Sequence, residues 1–306
     1  MRVLFIFLDG IGLGENNPET NPFARAKMPN LNRMLDGRSL LKDAAPFHGE
    51  RATLLAIDPA VGVSGLPQSA TGQGILVTGI NIPAELGYHY GPKPNPEVAA
   101  FLNTETLFSK FVAAGKKVAL LNAYPPRYFD GIDSGKRLYS SIPLAVTKAG
   151  LSLFKHEDLF AGRALSADFT GAGWRSMLGF PDAPGMDPHQ AGRKLVKLAI
   201  EYDFSLFEYW ASDYAGHKQD MDTAVGLMEM FDEVLGGIMH DLNEDELLVL
   251  ITSDHGNMED LSTRKHTHAD VPAIVIGNKT AREEFTRDMN DLTDIAPAIW
   301  RTVMDS

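Results

Sequence analysis

The sequence predicts a doubly wound α/β fold, with a mostly parallel central sheet, helices on both faces and a small or absent cap. Three observations predict it. Short apolar runs without polar alternation recur along the chain, as strands buried on both faces require. Segments of helical period separate them, the pattern of parallel strands joined by crossover helices. The 306 residues suffice for one large domain with a sizeable core, so residues 1–306 are expected to form a single domain.

Val3–Leu8 reads as the first strand, closed by Asp9 and followed by a flexible Gly10-Ile11-Gly12-Leu13-Gly14 loop. That loop lacks GxGxxG leading straight into a helix, and Asn16, Asn17, Pro18 and Pro22 keep it irregular, which excludes a dinucleotide site. Met28–Leu35 reads as a short helix opened by Pro29 and closed by Gly37, and Arg51–Asp58 as a strand. Gly65–Gly74 reads as a loop feeding a helix, with Ser69 and Thr71 at or near its start, where free amides and the helix dipole favour a phosphoryl group. Either hydroxyl could equally be a plain N-cap. Ile82–Asn103 reads as a surface loop, Glu105–Ala114 as a helix and Lys116–Leu121 as a strand.

Between Tyr124 and Pro188 the periodicity is broken by Pro125-Pro126 and repeated glycines, marking 124–188 as a candidate insertion or lid, with ordinary loops and short helices of the main domain as the alternative. Gly192–Tyr202 reads as a helix and Asp203–Ala211 as a strand. Asp213 and His217 follow, four residues apart, so one helical turn aims both at one spot. Met221–Leu242 reads as a long amphipathic helix with Val225, Met228, Phe231, Leu235 and Ile238 as its buried stripe. The run Glu246–Thr252 is a strand ending at Ser253-Asp254-His255-Gly256-Asn257; His266 precedes another strand, Val271–Ile276, and a terminal helix opens near Leu292.

Composition narrows the function. A net charge of −12 argues against a nucleic-acid surface, and the absence of cysteine removes thiolate zinc sites, disulfides and cysteine nucleophiles. The apolar start is too short for a signal peptide or a membrane span, so a cytoplasmic protein without membrane attachment is expected. Singly, an Asp or His is weak evidence. Together, Asp9, Asp213, His217, Asp254, His255 and His266 all lie beside strand ends, where open α/β sheets bind ligands. Three carboxylates and three imidazoles are the inventory that two divalent ions and a nucleophile need.

Leu8-Asp9-Gly10-Ile11-Gly12, Asp213-Tyr214-Ala215-Gly216-His217, Asp254-His255-Gly256-Asn257 and His266-Thr267 followed by Val271-Pro272 together resemble the alkaline phosphatase superfamily, nearest its cofactor-independent phosphoglycerate mutase and phosphopentomutase branch. The resemblance covers most of the chain outside Tyr124–Pro188. It implies an alkaline phosphatase-like fold and two manganese or zinc ions, one held by Asp9, Asp254 and His255 and the other by Asp213, His217 and His266. Setting Gly74 and Gly79 on the family's glycines puts Thr71 at the nucleophile position, as catalytic residue and metal contact, with Ser69 second. His268 falls on a non-ligand position. The mutases' Asn-Ser-Glu-Val-Gly-His run and large inserted domain are absent, which turns the expectation toward metal-dependent hydrolysis of a small phosphate ester through a phospho-threonine. A phosphomutase and a non-catalytic metal-binding module are the alternatives. No Cys or Ser-x-Pro-x-Arg occurs, which removes a sulfatase.

Overall fold

The structure is a computed structural model that describes residues 1–305. Its strands are β1 (Arg2–Leu8), β2 (Phe47–His48), β3 (Ala52–Ile57), β4 (Val118–Leu120), β5 (Ala123–Tyr124), β6 (Phe154–Lys155), β7 (Phe204–Tyr209), β8 (Leu247–Thr252) and β9 (Val271–Ile276). Seven form one sheet in the order β2-β3-β9-β8-β1-β7-β4, while β5 and β6 pair apart from it. The centre, β8-β1-β7-β4, is parallel, as the apolar runs predict. The flank is not, because β9 runs antiparallel to both β8 and β3.

Helices cover both faces because β1 has two apolar sides. Leu4, Ile6 and Leu8 enter one core with the helices Pro29–Met34, Pro188–Ala199 and Met221–Asp241. Val3, Phe5 and Phe7 enter the other with Ser69–Thr78, Pro96–Leu102, Leu107–Ala113, Ser141–Lys148 and Ile295–Met304. At ~25 cal/mol per Å² of apolar surface, two such faces dominate the folding free energy. The stripe of Met221–Asp241 begins at buried Ala224 rather than half-buried Val225, then continues through Met228, Phe231, Leu235 and Ile238. That helix crosses Pro188–Ala199 closely enough that a Cβ on Gly192 would overlap the Val234 carbonyl, and one on Gly237 the His189 carbonyl.

Two expectations change. The stretch 82–103 is not a surface loop: it holds helices Ile82–Leu86 and Pro96–Leu102, with Ile82, Val98 and Leu102 fully buried. Each opens on an Asn whose side chain accepts from a first-turn amide, Asn81 from Ala84 and Asn95 from Val98, with Pro just inside. The segment 124–188 holds helices Pro126–Asp133, Ser141–Lys148, His156–Phe160 and Ala172–Ser176. Ser141–Lys148 is built into the main core, and the Ser141 hydroxyl donates to the Ala70 carbonyl (2.8 Å). The remainder gathers around Trp174 in a small cluster with Leu159, Ala164 and Ala183. Among the described residues no helix is long and apolar enough to cross a membrane.

Candidate metal centre and active site

Register brings the site together. Leu8 of β1 lies opposite Tyr209 of β7, and Phe7 opposite Thr252 of β8, so the three strands end at one level. Asp9 follows β1, and Asp254 and His255 follow β8. The helix Ala211–Lys218 after β7 carries Asp213 and His217 one turn apart. Because β9 is reversed, its beginning lies at this edge, so His266 before the strand reaches what the other residues reach after theirs. Two glycines permit the closeness. Gly10 has φ +69° and no room for a Cβ beside Asp213, and a Cβ on Gly216 would overlap Asn257 Oδ1.

All three imidazoles are oriented alike. The Nδ1 of His217 lies 2.7 Å from the Arg264 carbonyl, that of His266 2.7 Å from Pro67, and that of His255 3.3 Å from Gly256. A backbone carbonyl can only accept, so Nδ1 carries the proton and each Nε2 is left with a lone pair. Those lone pairs face carboxylates. His217 Nε2 is 3.3 Å from Asp213 Oδ2, His266 Nε2 3.8 Å from Asp213 Oδ1, and His255 Nε2 3.5 Å from both Asp9 Oδ1 and Asp254 Oδ2. The His255 and His266 rings stack at 3.7 Å.

Lone pairs against carboxylates repel unless a cation lies between them. Burial pushes both imidazoles away from supplying that charge as protons: the pKa of His255 falls to about 4 by burial, and that of His266 to about 4 by burial and by His255. Burial, aided by the neighbouring acids, lifts Asp9 well above the carboxylate range, and burial with Asp213 lifts Asp254 to about 7. Asp9 Oδ1 and Asp213 Oδ1 are buried without hydrogen-bond partners. Donor atoms of Asp213, His217 and His266 lie within 4.8 Å of one another, as do those of Asp9, Asp213 and His255. Orphaned oxygens, fixed tautomers and a mixed oxygen and nitrogen donor set fit divalent ions. The second trio differs from the expected grouping in having Asp213, rather than Asp254, converge with Asp9 and His255.

The two candidate hydroxyls separate cleanly. Ser69 is the first residue of the helix Ser69–Thr78, and its Oγ is 3.0 Å from His255 Nε2. Thr71 is turned away: its hydroxyl lies 3.1 Å from the Gln68 carbonyl and 3.3 Å from that of Tyr90, and accepts from the Tyr90 amide. The Thr71 amide is also engaged, donating to the Tyr90 carbonyl (3.0 Å). The structure thus turns Thr71, the expected nucleophile and metal contact, away from the cluster and Ser69 toward it. A helix starting at Ser69 puts residue 71 more than half a turn away from the face on which residue 69 lies.

Three functional groups escaped sequence reading. Gln73, one turn after Ser69, reaches Asp9 Oδ2 (3.5 Å) and Asp254 Oδ2 (3.4 Å) with its amide nitrogen. The i, i+4 spacing from Ser69 is the signal that could have found it. Glu259 is buried and accepts from the Gly12 amide (2.9 Å), the Asn257 amide (2.8 Å) and the Thr267 hydroxyl, tying the loop after β1 to both arms of the β8–β9 connection. Glu208, at the end of β7, is the third. By contrast Asn81 caps a helix, Lys218 lies over the exposed Tyr214 ring and His268 is exposed, so none of them joins the cluster.

The cluster opens into a cavity of about 500 Å³ lined by Asp9, Ser69, Gln73 and Asp213 together with Lys93, Tyr128, Arg137 and Trp174. Much of its lining comes from 124–188.

Comparison with known proteins agrees with this geometry. Residues 174–304 match the family model described as the metalloenzyme superfamily. A 2,3-bisphosphoglycerate-independent phosphoglycerate mutase of Clostridium novyi is 37% identical over 129 residues, which cover 39% of this chain and 25% of that protein. One from Psychrobacter arcticus is 28% identical over 220 residues, covering 67% and 38%. The matched stretches thus span well under half the length of those relatives. In fold, the chain is similar to the PH0037 protein from Pyrococcus horikoshii (TM-score 0.56, 16% identity, 100% and 97% of the two chains). It is likewise similar to alkaline phosphatase from the Antarctic bacterium TAB5 (TM-score 0.54, 12% identity, 99% and 97%). Ligand-bearing strand ends and fixed imidazoles thus coincide with a match of residues 174–304 to the metalloenzyme superfamily, on a chain whose fold is similar to that of alkaline phosphatase.

Proposed function

We propose that this domain transfers the phosphoryl group of a small phosphate ester to water, using two divalent metal ions and Ser69 as nucleophile. The observation that carries this is the Ser69 hydroxyl, 3.0 Å from His255 Nε2 at the start of a helix and facing the Asp/His cluster. We assign Asp9, Asp254 and His255 to one ion, and Asp213, His217 and His266 to the other, with Asp213 placed to contact both. Sulfur-free donors suit manganese or zinc. When bound, the ions lower the pKa of the hydroxyl, neutralise phosphoryl oxygens and activate a water.

The chain's own residues do the rest. Ser69 Oγ forms a bond to phosphorus as the ester P–O bond breaks, and the alcohol leaves with the proton that the serine gave up. Water then forms the new P–O bond, the Oγ–P bond breaks and Ser69 regains a proton. No side chain caps the Ser69–Thr78 helix and the Thr71 amide is taken by the Tyr90 carbonyl, so the Ser69 and Ala70 amides and the helix dipole are left for the equatorial oxygens. Gln73 holds Asp9 and Asp254 in register, and the wall from 124–188 selects the ester.

The curated relatives' names favour a second reading, a phosphomutase that returns the phosphoryl group to the same molecule. It has to exclude water from the intermediate. The test is turnover of p-nitrophenyl phosphate and its bis-ester by metal-stripped protein given manganese or zinc, beside Ser69→Ala and Thr71→Ala. Metal-dependent hydrolysis lost only in Ser69→Ala supports the hydrolase. Phosphate trapped on Ser69 from a sugar bisphosphate, without hydrolysis, supports the mutase. Tight metal binding with neither result leaves a binding module and refutes phosphoryl transfer.

A further inference from the structure

The cavity lining contains, besides the Asp/His cluster and Ser69, a polar device that the proposed chemistry does not use. Glu208 closes β7 and is only 6% exposed. Its backbone is clamped at both polar atoms by one side chain: Asn122 Oδ1 accepts from the Glu208 amide (2.8 Å), and Asn122 Nδ2 donates to the Glu208 carbonyl (2.8 Å). The Tyr124 hydroxyl donates to Glu208 Oε1 at 2.6 Å. Among the described residues no group hydrogen-bonds Oε2, and Glu208, Asn122 and Tyr124 all line the cavity. Beside them the Tyr128 hydroxyl is buried without a partner, its residue 8% exposed. Lys93 in the same lining has no carboxylate within ion-pair distance.

A carboxylate on a mostly buried residue pays a desolvation cost that hydrogen-bond donors offset, and Oε2 faces the cavity with only water to supply one. Burial indeed lifts the Glu208 pKa, against the Tyr124 hydrogen bond and the Lys93 charge, which lower it. A ligand that brings an N–H or O–H to Oε2 removes that cost. One that brings a carboxylate meets a like charge in low dielectric.

We infer that Glu208, held by Asn122 and Tyr124, is the specificity-determining residue of this cavity, and selects phosphate esters whose alcohol carries a hydrogen-bond donor, a hydroxyl or an ammonium group. The inference rests on the phosphoryl-transfer reading only for where the phosphate sits. Glu208 is then a positioning contact for the organic end of the ester. Tyr128, beside it, offers a hydroxyl that can donate to or accept from the same polar body.

The test is binding, not turnover. Metal-loaded Ser69→Ala is titrated calorimetrically with alkyl phosphates of two to five carbons ending in an amine, a hydroxyl, a methyl or a carboxylate, and metal content is measured beside Glu208→Gln in the same background. At the best chain length the amine and hydroxyl should bind about tenfold or more tighter than the methyl, as a hydrogen bond to a charged group warrants, and the carboxylate weakest. Glu208→Gln should abolish the preference of amine over carboxylate, keep most of the preference for hydroxyl over methyl, and leave metal content unchanged. Equal binding of the four ends, a carboxylate as tight as the amine, or metal lost from Glu208→Gln would each overturn the inference. Wild-type protein that hydrolyses no ester while this order of binding holds would refute the reaction and leave the specificity assignment standing. No binding by any of the series would overturn both.

Discussion

Replacing Ser69 and Thr71 one at a time separates nucleophile from scaffold, because the two hydroxyls sit in different surroundings. Ser69→Ala removes a group whose one hydrogen-bond partner is His255 Nε2, beside a cavity open to water. Its cost in stability should be about 1 kcal/mol, the loss of that single hydrogen bond to the buried His255 ring. Its cost in turnover should be at least about 10³-fold, or about 4 kcal/mol of barrier, since no neighbouring hydroxyl can take its place. Thr71→Ala should do the reverse. It strips a fully buried hydroxyl from the Gln68 and Tyr90 carbonyls and deprives the Tyr90 amide of its acceptor. Leaving such groups unsatisfied costs about 1–3 kcal/mol, a fall in Tm of roughly 2–4 °C per kcal/mol for a chain of some 200 residues and somewhat less for a longer one. Turnover per folded molecule should stay within a few fold. Calorimetric Tm and kcat with metal saturating, on both variants, measure all four quantities. Turnover lost in Thr71→Ala at unchanged Tm, with Ser69→Ala within tenfold of wild type, would refute the assignment and return the nucleophile to Thr71.

Other consequences follow from the same geometry. Glu259→Gln keeps the size of the side chain but leaves one acceptor oxygen to serve the Gly12 amide, the Asn257 amide and the Thr267 hydroxyl, so metal affinity should fall about 10- to 100-fold by titration calorimetry; unchanged affinity would show that these loops are held by other means. Gly216→Ala drives a Cβ into Asn257 Oδ1 and should tilt the helix bearing Asp213 and His217, weakening metal binding more than it lowers Tm. Gly237→Ala sets a Cβ against the His189 carbonyl far from the site, and should lower stability by about 1–3 kcal/mol with metal affinity intact. Metal removal should lower Tm, because ions bound only to the folded state stabilise it by about 2.7 kcal/mol at a hundredfold excess over Kd; a Tm indifferent to chelator would refute a pre-formed metal site.

The sheet and its ligand-bearing ends were legible because both rest on local pattern. A strand buried on two faces must be apolar throughout, as Val3–Leu8 and Leu247–Ile251 are, and whatever follows it emerges at the sheet edge. What was hidden depends on phase or on distant partners. Ser69 and Thr71 differ by two residues, so where the helix begins decides which hydroxyl faces the cluster, and Gln68 gives no N-cap signal to fix it. The helices at 82–103 are short and flanked by Pro and Gly, which outweighed their Asn caps. Glu259 reads as one more surface acid, since the amides it accepts come from residues 12 and 257 and its hydroxyl donor from residue 267. Glu208 lies inside an apolar run and gains meaning only from Asn122 and Tyr124 on a neighbouring segment.

The reversal of β9 shows how a one-dimensional pattern can be right for a reason it does not contain. Asp9 and the Asp254-His255 pair follow their strands, and Asp213 and His217 lie on the helix after theirs, whereas His266 comes five residues before β9. In a wholly parallel sheet a residue in that place would lie at the opposite edge, roughly 20 Å away across a six-residue strand at ~3.3 Å per residue. It reaches the cluster because β9 pairs antiparallel with β8, Val249 opposite Ile276 and Ile251 opposite Ile274. That pairing turns the start of β9 to the edge where β8 ends. The loop between them then needs only to turn back on itself, and it does so with the Thr267 amide bonded to the Gly256 carbonyl and the Thr267 hydroxyl to Glu259. His266 is thereby held by the loop that carries Asp254 and His255, and its ring is stacked on that of His255. Three of the six candidate ligands thus belong to one closed hairpin connection. A substitution that loosens it should weaken both metal positions together, whereas His217→Ala, which spares Asp213 on the same helix, should weaken chiefly the ion that His217 faces.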